Sequence, residues 1–110
     1  GLERIAAYEE TLTREALARL SAIPGVRVLG APARRLSIVS FTVGGQEPSQ
    51  VAAALDEEGI AVRAGKLAAE PLLRALGAQE AIRASFMFYN TLAEVEQLAE
   101  CVARIARRKG

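Results

Sequence analysis

The sequence predicts an α+β domain: a small, largely antiparallel sheet with long helices packed on one face. Three observations carry this. Apolar residues recur at three- and four-residue steps in two long stretches, one at each end of the chain. Between them lie short β-branched or alternating runs punctuated by Gly and Pro. The resulting order is helix, two strands, helix, strand, short helix, strand, helix, for which a sheet covered by helices is the simplest packing.

From Leu2 to Ile23, the residues Ile5, Tyr8, Leu12, Ala16, Leu17 and Leu20 form the stripe of an amphipathic helix that Pro24-Gly25 ends. Val26 to Leu29 is a short strand closed by Gly30-Ala31-Pro32, and Leu36 to Val43 is a longer one turned by Gly44-Gly45. These two neighbours have no crossover between them, so they pair antiparallel. Glu47-Pro48 opens a second helix with Pro at its first position, where the missing N–H costs nothing. Val51, Ala54 and Leu55 are its apolar face, and Gly59 stops it. Asp56-Glu57-Glu58 in its last turn oppose the helix dipole, a small cost if they are solvated.

Ile60 to Arg63 is a short strand, Pro71 to Leu76 a short helix ended by Gly77, and Ala81 to Tyr89 a further strand. Thr91 and Glu94 then read as a capping box for the last helix. That helix turns Val95, Leu98, Val102 and Ile105 inward and ends in Arg104, Arg107, Arg108 and Lys109, cations that suit its C-terminal dipole.

The 110 residues are 51% hydrophobic and 25% charged, with 14 Lys+Arg against 13 Asp+Glu, which describes one ordinary soluble domain spanning 1–110. Zero His excludes Ser-His-Asp and Cys-His catalysis, and zero His with one Cys leaves no four-ligand zinc site; a metal held by carboxylates alone stays open, but no Asp-x-Asp-x-Asp-Gly loop appears and no metal is expected. The lone Cys101 cannot pair within the chain. No apolar run approaches the ~20 residues of a bilayer span, and Gly1-Leu2-Glu3-Arg4 lacks the features of a signal peptide. The expectation is a cytoplasmic protein with no membrane partner. A net charge of +1 gives no case for nucleic acid, and the tail Arg107-Arg108-Lys109 has no interleaved aromatic residue.

The chemistry that remains is anion recognition by arginine. In Ala81 to Tyr89, alternation puts Ile82, Ala84, Phe86 and Phe88 on the core face and Arg83, Ser85, Met87 and Tyr89 on the other. The same parity in Ile60 to Arg63 buries Ile60 and Val62 and sends Arg63 to the side of Arg83. Two guanidiniums therefore converge where they could receive a carboxylate or phosphate; pairing of each with a surface acid is the competing reading. The loop Arg63 to Pro71 has too few glycines for a phosphate cradle. Within it Lys66 is the one candidate amine nucleophile of the chain's interior, against the plainer reading of a solvated lysine. Cys101, beside the apolar stripe of the last helix, reads as a packed small hydrophobe.

Gly59-Ile60-Ala61-Val62-Arg63-Ala64-Gly65, then Ala69-x-Pro71, Arg83-Ala84-Ser85, Tyr89-Asn90-Thr91 and Glu94-Val95 together resemble the C-terminal small domain of class V aminotransferases, in the cysteine desulfurase and selenocysteine lyase branch. The opening Gly1 to Glu9 and Ile23-Pro24-Gly25-Val26 extend the resemblance over essentially the whole chain. It implies that the chain belongs to a larger pyridoxal-phosphate enzyme acting on an amino acid. Arg83 falls at the arginine that binds the substrate α-carboxylate, and Arg63 at the arginine that starts the active-site loop. It implies too that the cofactor, its Schiff-base lysine and its phosphate site belong to an N-terminal domain absent here, and that the parent is a homodimer.

By the same resemblance the fragment binds no cofactor, carries no catalytic residue and is inactive alone. Desulfurases of this type have a persulfide-forming cysteine where this sequence has Ala68, so sulfur transfer through a persulfide is not expected, whereas aminotransfer, epimerisation or β-elimination needs no loop thiol. The alternatives are a free-standing α+β binding module and a family member that has lost catalysis.

Overall fold

The computed structural model describes residues 1–29, 38–66, 80–86 and 90–108. It is an α+β arrangement of three helices and one four-stranded antiparallel sheet among those residues: α1 (Leu2–Ser21), β1 (Val26–Val28), β2 (Ile38–Val43), α2 (Pro48–Glu57), β3 (Arg63–Lys66), β4 (Glu80–Ser85) and α3 (Leu92–Arg108). The predicted helix Pro71 to Leu76, the loop from Leu67 to Glu70 and the strand end Met87-Phe88-Tyr89 lie outside the described residues.

The strand order is β1-β2-β4-β3, so β4 enters between β2 and β3, and every pairing is antiparallel. The register puts Val28 opposite Phe41 and Phe41 opposite Ile82, which makes one apolar row across the sheet. Phe41 and Ile82 are wholly buried, as are Leu12 and Leu20 of α1 and Leu55 of α2. Val95, Leu98, Val102 and Ile105 of α3 complete the same cluster. Each such side chain contributes about 1.5–3 kcal/mol by leaving water, which is why the helices sit on this face. α1 lies against β1 and β2, α2 against β3 and β4, and α3 packs on both helices.

The stripe of α1 divides. Leu12, Ala16 and Leu20 are core, but Ile5 and Tyr8 are 37% and 38% exposed, and all of residues 1–8 are on the surface. Helical periodicity predicts which face is apolar, not how far the sheet extends beneath it. Thr13, beside that stripe, is also buried, its hydroxyl donating to the Glu9 carbonyl (2.8 Å).

A second correction concerns β3. The expected strand at Ile60 to Arg63 is in fact Arg63–Lys66, so the start of the expected loop is ladder. The cause is the end of α2. Gly59, at φ +82°, donates to the Asp56 carbonyl (2.9 Å), and Ile60 donates to that of Leu55 (2.9 Å). This is a Schellman closure with its usual apolar contact, since Ile60 packs onto the core that holds Leu55. Ile60 is still satisfying the helix, so the ladder starts three residues later. The burial alternation nevertheless holds, with Ile60 and Val62 half-buried and Ala61 and Arg63 exposed.

Two contacts tie the ends of elements together. Gln46 donates to the Ile105 carbonyl (2.6 Å), fixing the β2–α2 turn to the last turns of α3. Arg104, expected to serve the helix dipole, reaches across to Glu58 (3.6 Å) and donates to the Cys101 sulfur (3.0 Å). Among the described residues no helix is long and apolar enough to cross a membrane.

Candidate functional site

The face of the sheet away from the helices carries the candidate site. In β4 the residues Ile82, Ala84 and, just beyond, Phe86 are buried, while Arg83 and Ser85 are exposed, as alternation requires. Arg63 is the first residue of β3 and pairs directly with Arg83. On the other side Arg83 faces Ser40 of β2, so Ser40, Arg83 and Arg63 form one row.

The type of this pairing follows from the ladder. Leu29 donates to the Ser40 carbonyl (2.8 Å) and Gly44 to that of Gly25 (2.7 Å), so the amide edges of Ser40 and Gly44 face β1. Alternation turns Val39 and Phe41 toward β4, and in β4 turns Arg83 and Ser85 toward β3. Arg63 and Arg83 are therefore a hydrogen-bonded pair with Cα atoms about 5.5 Å apart. The next rung would join Ser85 to Ala61, and no backbone bond between them exists among the described residues. The two segments part at that point.

A cleft of about 410 Å³ opens at that parting on the helix side of the sheet, lined by Gly59–Arg63, by Arg83–Phe86 and, as its far wall at the start of α3, by Asn90, Glu94, Gln97 and Leu98; Arg63 and Arg83 stand at its border, and alternation turns their side chains to the opposite face. That wall is held by the capping box. The Glu94 amide donates to the Thr91 hydroxyl (3.2 Å), and the Thr91 amide donates to the Glu94 carboxylate (2.8 Å). Asn90 adds a bond from its side-chain amide to the same carboxylate (3.2 Å), and its carbonyl accepts from Tyr8 (2.6 Å). Glu94 thus has two donors of its own within the wall.

Neither Arg63 nor Arg83 has an acid within ion-pair distance among the described residues. The ion pairs lie elsewhere, at Glu10–Arg14, Glu15–Arg19–Glu96 and Glu58–Arg104. Among the described residues, then, neither arginine has the surface acid that the competing reading assigns it. Like charges set directly opposite on neighbouring strands repel, and an anion bridging them would relieve that repulsion.

The structure brings Arg63 and Arg83 together, as parity predicted. Ala68 lies outside the described residues, and for Lys66 only the backbone, in β3, is described. Cys101 is 2% exposed, one turn beyond the cleft wall at Leu98, and contributes nothing to the cleft. Among the described residues no group of His, Cys, Asp and Glu could hold a metal ion. Ser40 was missed, although the alternation of Val39, Phe41 and Val43 assigns it to the arginine face. Gln97 was also missed, and nothing local marks it, because its place depends on how α3 packs.

The model of the class-V aminotransferase family matches residues 1–98. A "Probable cysteine desulfurase" of Mycolicibacterium paratuberculosis is 50% identical over 106 residues, covering 96% of this chain and 16% of that protein. The cysteine desulfurase of Synechococcus elongatus is 46% identical over 105 residues, covering 96% and 17%. The chain therefore spans about a sixth of the length of these curated relatives. Among solved structures, the apo cysteine desulfurase of Thermococcus onnurineus NA1 superposes with a TM-score of 0.86 at 34% identity, covering 98% of this chain and 27% of that one. The Escherichia coli cysteine desulfurase CsdA gives 0.79 at 35%, covering 94% and 25%. With its antiparallel sheet, one-sided helices and a family match over most of its length, the chain belongs to the class-V aminotransferases, among relatives that are cysteine desulfurases.

Proposed function

We propose that this chain is the C-terminal small domain of a larger pyridoxal-phosphate enzyme acting on an amino acid, and that Arg83 holds the substrate's α-carboxylate. The observation that carries this is the position of Arg83: exposed on the helix-free face, at the border of the cleft, without an acid partner among the described residues. Its guanidinium offers a planar fork that matches a carboxylate in two parallel hydrogen bonds. A two-point grip fixes the substrate's rotation about its own axis, and so orients the Cα–H bond before chemistry.

The residues of this chain do not fit the cofactor itself. Its two lysines are Lys66 and Lys109, and no lysine is among the described residues lining the cleft. Gly59 of the Schellman turn serves backbone geometry rather than a phosphate cradle. The cofactor then belongs to other parts of a longer protein, and the 110 residues alone are inactive. Ala68 stands at the position of the desulfurase cysteine and Cys101 is buried, so the reaction is one that needs no loop thiol.

The test is Arg83→Ala in a longer protein that contains this domain. Loss of a charge-assisted bidentate contact, about 1.5–3 kcal/mol, weakens amino-acid binding by roughly 10- to 150-fold, read from substrate titration. Unchanged affinity refutes the assignment.

A further inference from the structure

The first two turns of α1 overhang the domain: residues 1–8 are all exposed, although the stripe that is core at Leu12, Ala16 and Leu20 continues through Leu2, Ile5 and Tyr8. Among the described residues, one side-chain bond joins this overhang to another element. The Tyr8 hydroxyl donates to the Asn90 carbonyl (2.6 Å), 82 positions along the chain. That carbonyl and the Thr91 amide belong to one peptide unit, and the amide donates to the Glu94 carboxylate (2.8 Å). A trans peptide is a rigid plane whose C=O and N–H point opposite ways. Tyr8 and Glu94 therefore hold the two ends of the same plane, and a rotation that takes the carbonyl from the phenol also swings the amide from the carboxylate. Each bond polarises the peptide in favour of the other. The Asn90 side-chain amide closes on the same carboxylate (3.2 Å), and Asn90 and Glu94 both line the cleft.

We propose that Tyr8 is a positioning residue for the α3 wall of the cleft, acting through the Asn90–Thr91 peptide to set the Glu94 carboxylate. This latch makes the wall answer to the first turns of α1. Loosening of the overhang withdraws the phenol, frees the peptide plane to turn and releases one of the two donors that hold Glu94. In a longer protein of which this is the C-terminal domain, the polypeptide enters through α1, so the way those turns are held is felt at the cleft. That last step rests on the domain reading above, whereas the latch does not and is tested in the 110-residue chain.

The experiment measures exchange of the Thr91 amide with water by NMR in the ¹⁵N-labelled chain, with the Phe41 and Val102 amides as references. Tyr8→Phe removes the hydroxyl and keeps the ring. It is expected to speed exchange at Thr91 by roughly 2- to 10-fold, the worth of one hydrogen bond, and to leave both references unchanged. Ala6→Gly loosens the helix at an exposed position of the overhang. It is expected to speed Thr91 exchange in the unsubstituted chain and to add nothing to Tyr8→Phe, because the two act through one bond. Unchanged exchange at Thr91 in Tyr8→Phe overturns the latch. Equal acceleration at Thr91, Phe41 and Val102 overturns it too, since the hydroxyl then serves overall stability alone. Additive effects of Ala6→Gly and Tyr8→Phe mean that the overhang reaches the wall by another path, and they overturn the coupling.

Discussion

Gly59→Ala probes the link between the end of α2 and the arginine pair. Gly59 occupies φ +82°, and nothing lies within 4 Å of where a Cβ would stand, so the substitution meets no clash. Its cost is conformational alone: an L-residue held in the left-handed region loses about 1–2 kcal/mol relative to glycine. The chain can avoid that cost only by releasing the bonds from Gly59 to Asp56 and from Ile60 to Leu55, each worth about 1 kcal/mol. Either route gives a loss of about 1–2 kcal/mol, or roughly 3–10 °C in Tm for a domain of this size. Urea unfolding followed by circular dichroism measures it. Gly59→Asn should cost less, because Asn visits the left-handed region more readily. If Gly59 were an ordinary exposed turn residue, alanine would instead stabilise by about 0.4–1 kcal/mol through the unfolded state. A stabilised Gly59→Ala therefore refutes the Schellman account, and with it the reason that β3 begins at Arg63.

Thr91→Ala removes the hydroxyl that caps α3 and should cost about 1 kcal/mol in urea unfolding, while Glu94→Gln, which preserves the capping-box geometry, should cost less. Ile82→Ala, at the wholly buried centre of β4, should cost about 2–5 kcal/mol, enough to test whether the chain folds with a single cooperative core. Arg104→Met should change stability by less than about 1 kcal/mol, because its ion pair with Glu58 is 3.6 Å long and both side chains are almost half exposed; a larger loss would mean that the contact to Cys101 matters to packing.

The helices were legible because their signals are local. Pro48 at the start of α2, Gly59 after its end, and Thr91 with Glu94 before α3 each act within a few residues, and all three appear where the pattern put them. The convergence of Arg63 and Arg83 was legible for the same reason, since parity along a strand follows from the chain's own geometry and their apolar neighbours Ile60, Val62, Ile82 and Ala84 name the core face. The exact start of β3 was not, because the Schellman closure competes with the ladder for Ile60. Nor was the exposure of Ile5 and Tyr8, since a helix stripe does not record where the sheet beneath it stops.

By itself, then, the sequence determined the element types, the apolar faces and the family resemblance, all set by short-range backbone and side-chain chemistry. Only the tertiary structure decided that β4 enters between β2 and β3. That choice sets the register in which Arg83 meets Arg63 on one side and Ser40 on the other, and it leaves the rung between Ala61 and Ser85 unmade. Strand order and register depend on which apolar rows can share one core with three helices. That is a property of the whole packed molecule, and no segment carries it alone.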